Sequence, residues 1–279
     1  MAEFIKLYNE NPNPKEIDKI VKILQKGGLI IYPTDTVYGL GCDITNTKGL
    51  EKIAKIKGLK LEKANFSFVC NDLSHLSDYV KQIDSSTFKI LNSLIALETG
   101  VVDDSKTIIP WDGKKKFVKS WERDHNIETA IKHSVVPFYQ EIARRIGKNR
   151  MQEYVKLAKY GNQNIGNSID RFWLDGPIKI SGYEQLNFIE DLYLGKLPFK
   201  KKHQDFVKKI LIQNEVGNRI FSGKTGSSFK NGKFVFGWFV GHLKKGNDQY
   251  VFVINSKGDG ESGHKLKEVV IKILQNMNL

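Results

Sequence analysis

A serine hydroxyl is a weak nucleophile and needs a base beside it. A lysine three residues further along a helix lies on the same face and can be that base, provided its surroundings or a modification leave it uncharged at neutral pH. The pattern Ser-x-x-Lys occurs at Ser86–Lys89, Ser227–Lys230 and Ser262–Lys265. Two of these read as chance pairs on a turn or helix. Ser86–Lys89 is set apart by the groups downstream of it in the chain. Ser134-Val135-Val136 supplies a second hydroxyl ahead of an apolar helix start, and Tyr160-Gly161-Asn162 supplies polar groups on a tight turn. Ser222-Gly223-Lys224-Thr225-Gly226 reads as the end of a strand that presents a cation and a hydroxyl to an anionic substrate. Gly226 has no side chain to keep a substrate backbone away. A strand edge beside a helix N-terminus can also aim two amides at an oxyanion. Together these groups describe acyl transfer to a serine.

Other motifs lead nowhere. Gly258-Asp259-Gly260-Glu261-Ser262-Gly263 fits the glycine spacing of a nucleotide loop. Such a loop needs a following parallel strand and an acidic residue about 20 positions on. The remaining 16 residues hold neither, so it reads as a glycine-rich turn. There is no Cys-x-x-Cys and no His-Glu-x-x-His, and the six histidines are scattered, so no metal site is expected.

The elements that must carry these groups are legible in outline. Apolar residues at Ile17, Ile20, Val21 and Leu24 predict a helix over Pro14–Gly28. Leu29–Tyr32 reads as a buried strand, Pro33–Cys42 as turn-rich, Thr47–Lys57 as a helix and Phe66–Cys70 as a strand. Helices are expected over Ser86–Glu98, Pro137–Gly147, Asn149–Lys159 and Tyr183–Tyr193. Strands at Arg219–Ser222, Lys233–Gly241 and Gln249–Asn255 read as an antiparallel meander, closed by a helix over His264–Met277. The expected class is α/β, an antiparallel sheet flanked by helices with an added helical region. With 40% hydrophobic residues in 279, the chain can bury a core, which excludes a mostly disordered protein. Two cysteines exclude a disulfide scaffold. No apolar run reaches the length of a membrane span. Residues 1–85 hold 12 basic and 11 acidic residues, and 86–279 hold 32 and 20. The excess is scattered lysine with dense clusters only at Lys114–Lys116 and Lys200–Lys202, both in turn-like contexts, so nucleic-acid binding is not expected.

Residues 86–279 resemble the class D (oxacillinase-type) serine β-lactamases and related penicillin sensor domains. The resemblance is carried by Ser86-Thr87-Phe88-Lys89, Asn92–Gly100, Trp111-Asp112-Gly113, Trp121–Asp124, Tyr160–Ile165, Phe172–Gly176, Lys224-Thr225-Gly226 and Gly237–Gly241. It implies a β-lactamase/transpeptidase-like fold that hydrolyses a β-lactam substrate. Ser86 would be the acylated nucleophile. Lys89 would carry a carbamate derived from CO2 or bicarbonate, the only cofactor implied, and act as general base. Trp173 would hydrogen-bond that carbamate, beside an apolar wall shared with Val136. Ser134 would relay a proton to the leaving nitrogen. Tyr160, Asn162, Lys224, Thr225, Gly226 and Ser227 would line the substrate site, and the amides of Ser86 and Ser227 would form the oxyanion hole. Where the family commonly has an arginine to clamp the substrate carboxylate, this chain offers Lys267, which cannot make the same two-pronged contact.

Residues 1–85 are of another kind. Tyr32-Pro33-Thr34-Asp35-Thr36-Val37-Tyr38-Gly39-Leu40-Gly41 resembles the YrdC/YciO family, whose threonylcarbamoyl-AMP synthases bind ATP and threonine. The resemblance runs to about Leu91 and covers only half of that domain, and the two resemblances meet at Ser86–Leu91. The chain therefore reads as a chimera, a truncated YrdC-like segment over 1–85 joined to a class D domain over 86–279. The competing readings are a YrdC-like nucleotide- or RNA-binding protein and a penicillin-binding sensor that does not turn over. The resemblance implies a periplasmic home, whereas the Met1–Gln25 stretch reads as no signal peptide and so points to the cytoplasm.

Overall fold

The structure is a computed structural model. It describes residues 3–8, 10–34, 38–61 and 85–279, together with the backbone of 82–83. The expected strand Phe66–Cys70 lies outside the described residues. The chain divides into two compact units, residues 1–69 and residues 70–279. That division falls earlier than the 85/86 boundary expected from sequence. β3 (Gln82–Ile83) forms an antiparallel pair with β4 (Lys179–Ile180) and so belongs with the second unit.

In the first unit, α1 spans Pro14–Gln25, with Pro14 at its first turn and the Asn13 side chain accepting from the Lys15 amide. The strands β1 (Ile30–Pro33) and β2 (Tyr38–Gly41) pair antiparallel, Ile30 opposite Gly41. β2 thus occupies part of the stretch expected to be turn. Helix α2 (Thr47–Ile56) is capped by Asn46, whose amide also donates to the Gln25 carbonyl at 2.8 Å.

The second unit is built on a four-stranded antiparallel meander, β5 (Ile212–Val216), β6 (Arg219–Lys230), β7 (Lys233–Lys245) and β8 (Asp248–Lys257), which lie side by side in chain order. Alternate residues of β7 serve two cores, because successive side chains of a strand point to opposite faces. Trp238 and Val240 enter the large core. Phe239 enters a smaller one with Leu266 and Val270 of α9 (Gly263–Asn276). The large core also takes in the helical region. Helix α3 (Lys89–Glu98) is buried from Lys89 to Leu97, as befits a helix apolar nearly all round. It touches α5 (Val136–Ile146), α6 (Lys148–Leu157) and α8 (Lys201–Ile210). A short α4 (Ile127–Lys132), started by an Asn126–Thr129 capping box, precedes α5. Helix α7 (Gly182–Leu194), started by a Ser181–Glu184 capping box, packs on β7 and β8.

Three expectations are corrected. β6 runs on to Lys230, so Lys224-Thr225-Gly226 sits mid-strand and not at a strand end. Lys201 and Lys202 open helix α8 and are not in a turn. The helix expected from Ser86 begins as a 3-10 turn, Ser85–Phe88, before α3 takes over. Among the described residues, no helix is long and apolar enough to cross a membrane.

Candidate active site

The 3-10 turn feeds directly into α3 and keeps Ser86 and Lys89 on one side. The Lys89 amine, fully buried, donates to Ser86 Oγ at 2.6 Å. Ser86 itself is only partly covered. Phe88 anchors the turn from behind. Its ring meets Tyr160 and Phe172 edge-on, at 5.7 and 4.8 Å, and stacks on Trp173 at 5.6 Å. Below Lys89, the Ser93 hydroxyl donates to the Lys89 carbonyl at 2.7 Å and pairs with the Tyr139 hydroxyl at 2.9 Å. Burial raises the Tyr139 phenol far above its ordinary range, so it stays neutral. The Trp173 indole is fully buried, and among the described residues its Nε1 has no hydrogen-bond acceptor. An orphaned buried donor is costly.

A second serine–lysine pair comes from other elements. Lys224 on β6 donates to Ser134 Oγ at 3.0 Å and to the Thr225 carbonyl at 2.8 Å. Burial alone pushes the Lys224 ammonium down to about 7. Ser134 precedes α5 with φ of +52°, and Val136, half-buried, starts that helix. Left-handed backbone at a residue with a side chain costs of order 1–3 kcal/mol and gathers at functional sites. Ser85, at +57°, is a second serine of this kind beside the site. β5 stops pairing at Ser222, and the Ser85–Phe88 turn packs against β6. Their side chains meet where Ser85 Oγ lies 2.8 Å from Ser228 Oγ.

The predicted substrate residues divide. Lys224 joins Ser134, with Thr225 and Gly226 beside it on β6. Ser227 Oγ accepts from the Gly263 amide at 2.9 Å, so the first residue of α9 is pinned to the strand. A Cβ at Gly263 would sit 2.6 Å from both the Gly226 and Trp238 carbonyl oxygens, which only glycine avoids. Tyr160 does not line an open site. It is 1% exposed, edge-on to Phe88 and Phe188, and its hydroxyl accepts from Gln185. Asn162 is spent on structure as well, donating to the Pro177 carbonyl at 2.9 Å and accepting from the Lys179 amide at 3.0 Å. Lys267 donates to the Gln213 side chain at 2.7 Å and is pushed down by burial. Gln213 in turn donates to the Gly223 carbonyl at 3.1 Å.

The other Ser-x-x-Lys pairs are not sites. Ser227 and Lys230 share a strand, where positions three apart face opposite ways. Ser262 is the N-cap of α9. Sequence reasoning missed Ser85, Ser93, Tyr139, Gln213 and Ser228. Ser85 and Ser93 flank the motif and were within reach of a closer reading; the other three come from distant elements. Among the described residues, no cluster of His, Cys, Asp and Glu is placed to hold a metal ion.

Residues 85–275 match the family model described as the penicillin binding protein transpeptidase domain. The chain is 44% identical to β-lactamase OXA-5 of Pseudomonas aeruginosa over 182 residues, 64% of this chain and 68% of that one. It is 41% identical to β-lactamase OXA-10 of the same organism over 213 residues, 75% and 79% of the two chains. The crystal structure of a class D β-lactamase from Bacillus subtilis superposes with a TM-score of 0.69 at 38% identity, covering 76% of this chain and 86% of that one.

Proposed function

Because the chain belongs to the class D β-lactamase family, we propose that it hydrolyses β-lactams through an ester on Ser86. The observation that carries this reading is the 2.6 Å contact between buried Lys89 Nζ and Ser86 Oγ. In the acylation step, Ser86 Oγ bonds to the lactam carbonyl carbon and gives up its proton to Lys89, which can take it only when it is uncharged or modified. The carbonyl oxygen takes up negative charge before the amides of Ser86 and Ser227. The C–N bond then breaks, and the leaving nitrogen takes a proton from Ser134 Oγ. Lys224, 3.0 Å from that oxygen, can resupply it because burial brings its proton affinity near neutrality. Water afterwards cleaves the ester. Thr225, Gly226 and Lys267 are assigned to the substrate carboxylate.

A carbamate on Lys89 would turn a buried cation into an anionic base. The residues present fit one: the orphaned Trp173 Nε1 is a donor awaiting an acceptor, and Trp173 stacks on Phe88, the neighbour of Lys89 in the chain. The truncated YrdC-like segment over residues 1–85 rests on its sequence motifs alone, Gly27–Asp43, Lys55–Lys63 and Asn65–Cys70, since the matched family model starts at residue 85. With half of that domain missing, ATP is expected to give no heat on titration into the full chain.

The test is intact mass after mixing with benzylpenicillin, with and without bicarbonate. A stoichiometric adduct on Ser86 is expected, absent in Ser86→Ala, and lost faster with bicarbonate. An adduct that persists whatever the bicarbonate makes the protein a sensor-like binder. No adduct refutes the acylation reading.

A further inference from the structure

The oxyanion hole in the proposed reaction has one amide on the 3-10 turn and one on β6. Nothing in the local backbone fixes their separation, because the turn and the strand are not hydrogen-bonded as a ladder. Beyond Gly223, whose amide still donates to the Leu211 carbonyl, β6 has its ladder partner β7 on one side only. The Ser85–Ser228 hydroxyl pair bridges that gap at 2.8 Å. Ser85 is one peptide ahead of Ser86, and Ser228 is one peptide beyond Ser227. Ser85 is 2% exposed and held at φ +57°, a conformation that a residue with a side chain adopts only when its surroundings insist. Behind the turn, Thr87 Oγ1 accepts from Gln185 Nε2 at 2.9 Å and Phe88 is locked among rings. Those contacts fix the turn to the large core. On the strand side, the turn packs against β6 and the hydroxyl bridge adds a directional tie to it.

We infer that Ser85 and Ser228 are positioning residues, a latch that sets the spacing of the two oxyanion amides. This rests on the acylation of Ser86 proposed above. The bridge adds little to folding, as one neutral hydrogen bond among many. Its effect on catalysis is larger, because oxyanion donors act only at the right distance from the developing charge.

The experiment measures the acylation rate of Ser86 by benzylpenicillin, and the affinity of phenylboronic acid, whose tetrahedral adduct uses the same hole. The variants are Ser85→Gly, Ser228→Ala, their combination, and Ser228→Thr. Ser85→Gly removes the hydroxyl and accepts positive φ without steric cost, so it separates the latch from stability. Its acylation is expected to fall about tenfold or more, less than the 10²–10³-fold that attends loss of a whole oxyanion donor. Boronate affinity should fall in parallel, KM should change little, and the melting temperature should not drop. Ser228→Ala should match it. The double variant should be no slower than either single one, since both remove one interaction. Ser228→Thr keeps a hydroxyl and should restore most of the rate. Acylation unchanged within twofold in either single variant, or losses that multiply in the double, would overturn the latch alone. A wild-type chain that forms no adduct overturns the acylation reading and the latch with it.

Discussion

Lys224 makes the stability of this protein depend on alkaline pH in a direction opposite to that of a salt-bridged lysine. The unfolded chain holds the Lys224 proton until about pH 10.5, and the native chain releases it near 7. Between those values the unfolded state binds more protons, so stability rises with pH through the window and is flat below it. Each pH unit corresponds to 1.36 kcal/mol. From pH 7 to pH 10 the gain attributable to Lys224 is therefore about 3–4 kcal/mol, a large part of the roughly 5–15 kcal/mol that holds a typical domain. The assay is urea denaturation at half-unit steps from pH 6 to pH 10 on wild type and on Lys224→Met. Methionine keeps the volume and removes the charge. The difference between the two curves should slope by about 1 kcal/mol per pH unit above 7 and level off below it, with the variant the more stable of the two at neutral pH. A flat difference would show that the Lys224 ammonium keeps its proton in the fold, and the proton resupply to Ser134 would lose its basis.

Trp173→Phe keeps the ring and removes the donor, so 13C-bicarbonate should give no carbamate signal in NMR, and the benzylpenicillin adduct should outlast that of wild type about tenfold or more. Phe88→Ala empties the ring cluster behind Ser86 and should cost about 3–5 kcal/mol in urea denaturation, with acylation lost alongside. Ser181→Ala removes the hydroxyl that accepts from the Glu184 amide and should cost about 1 kcal/mol, read as a lower melting temperature at unchanged acylation.

The Ser86–Lys89 pair was legible because a spacing of three is a local statement about a helix. Lys224 was legible as a chemical group but misplaced in its strand. Gly223 and Gly226 look like breakers, yet both lie within β6; at Gly223 the Phe239 ring presses too close for a Cβ. β5 escaped notice because all five of its residues are exposed, so Ile-Gln-Asn-Glu-Val carries no alternation of buried and open positions. Lys200–Lys202 looked like a turn because charge density says nothing about the apolar face, Val207 and Ile210, that seats α8 in the core. Tyr160 was assigned to substrate because its turn is polar. Its burial is decided by Phe88 and Phe188, residues that sequence does not place beside it. The partnership of Ser85 with Ser228, 143 positions apart, is written in no local pattern.

Helix α8 ends at Ile210 and β5 begins at Ile212, leaving Leu211 between them. That single junction determines where β5 stops covering β6, and so how much bare strand stands beside the nucleophile. Moving the junction two residues earlier would lengthen the covering strand by about 7 Å and carry its cover of β6 from Ser222 to Lys224. The exposed edge of β6 beside Ser86 is thus set by chain length at one helix terminus. Insertions and deletions around residue 211 would tune access to the site more sharply than substitutions along its walls.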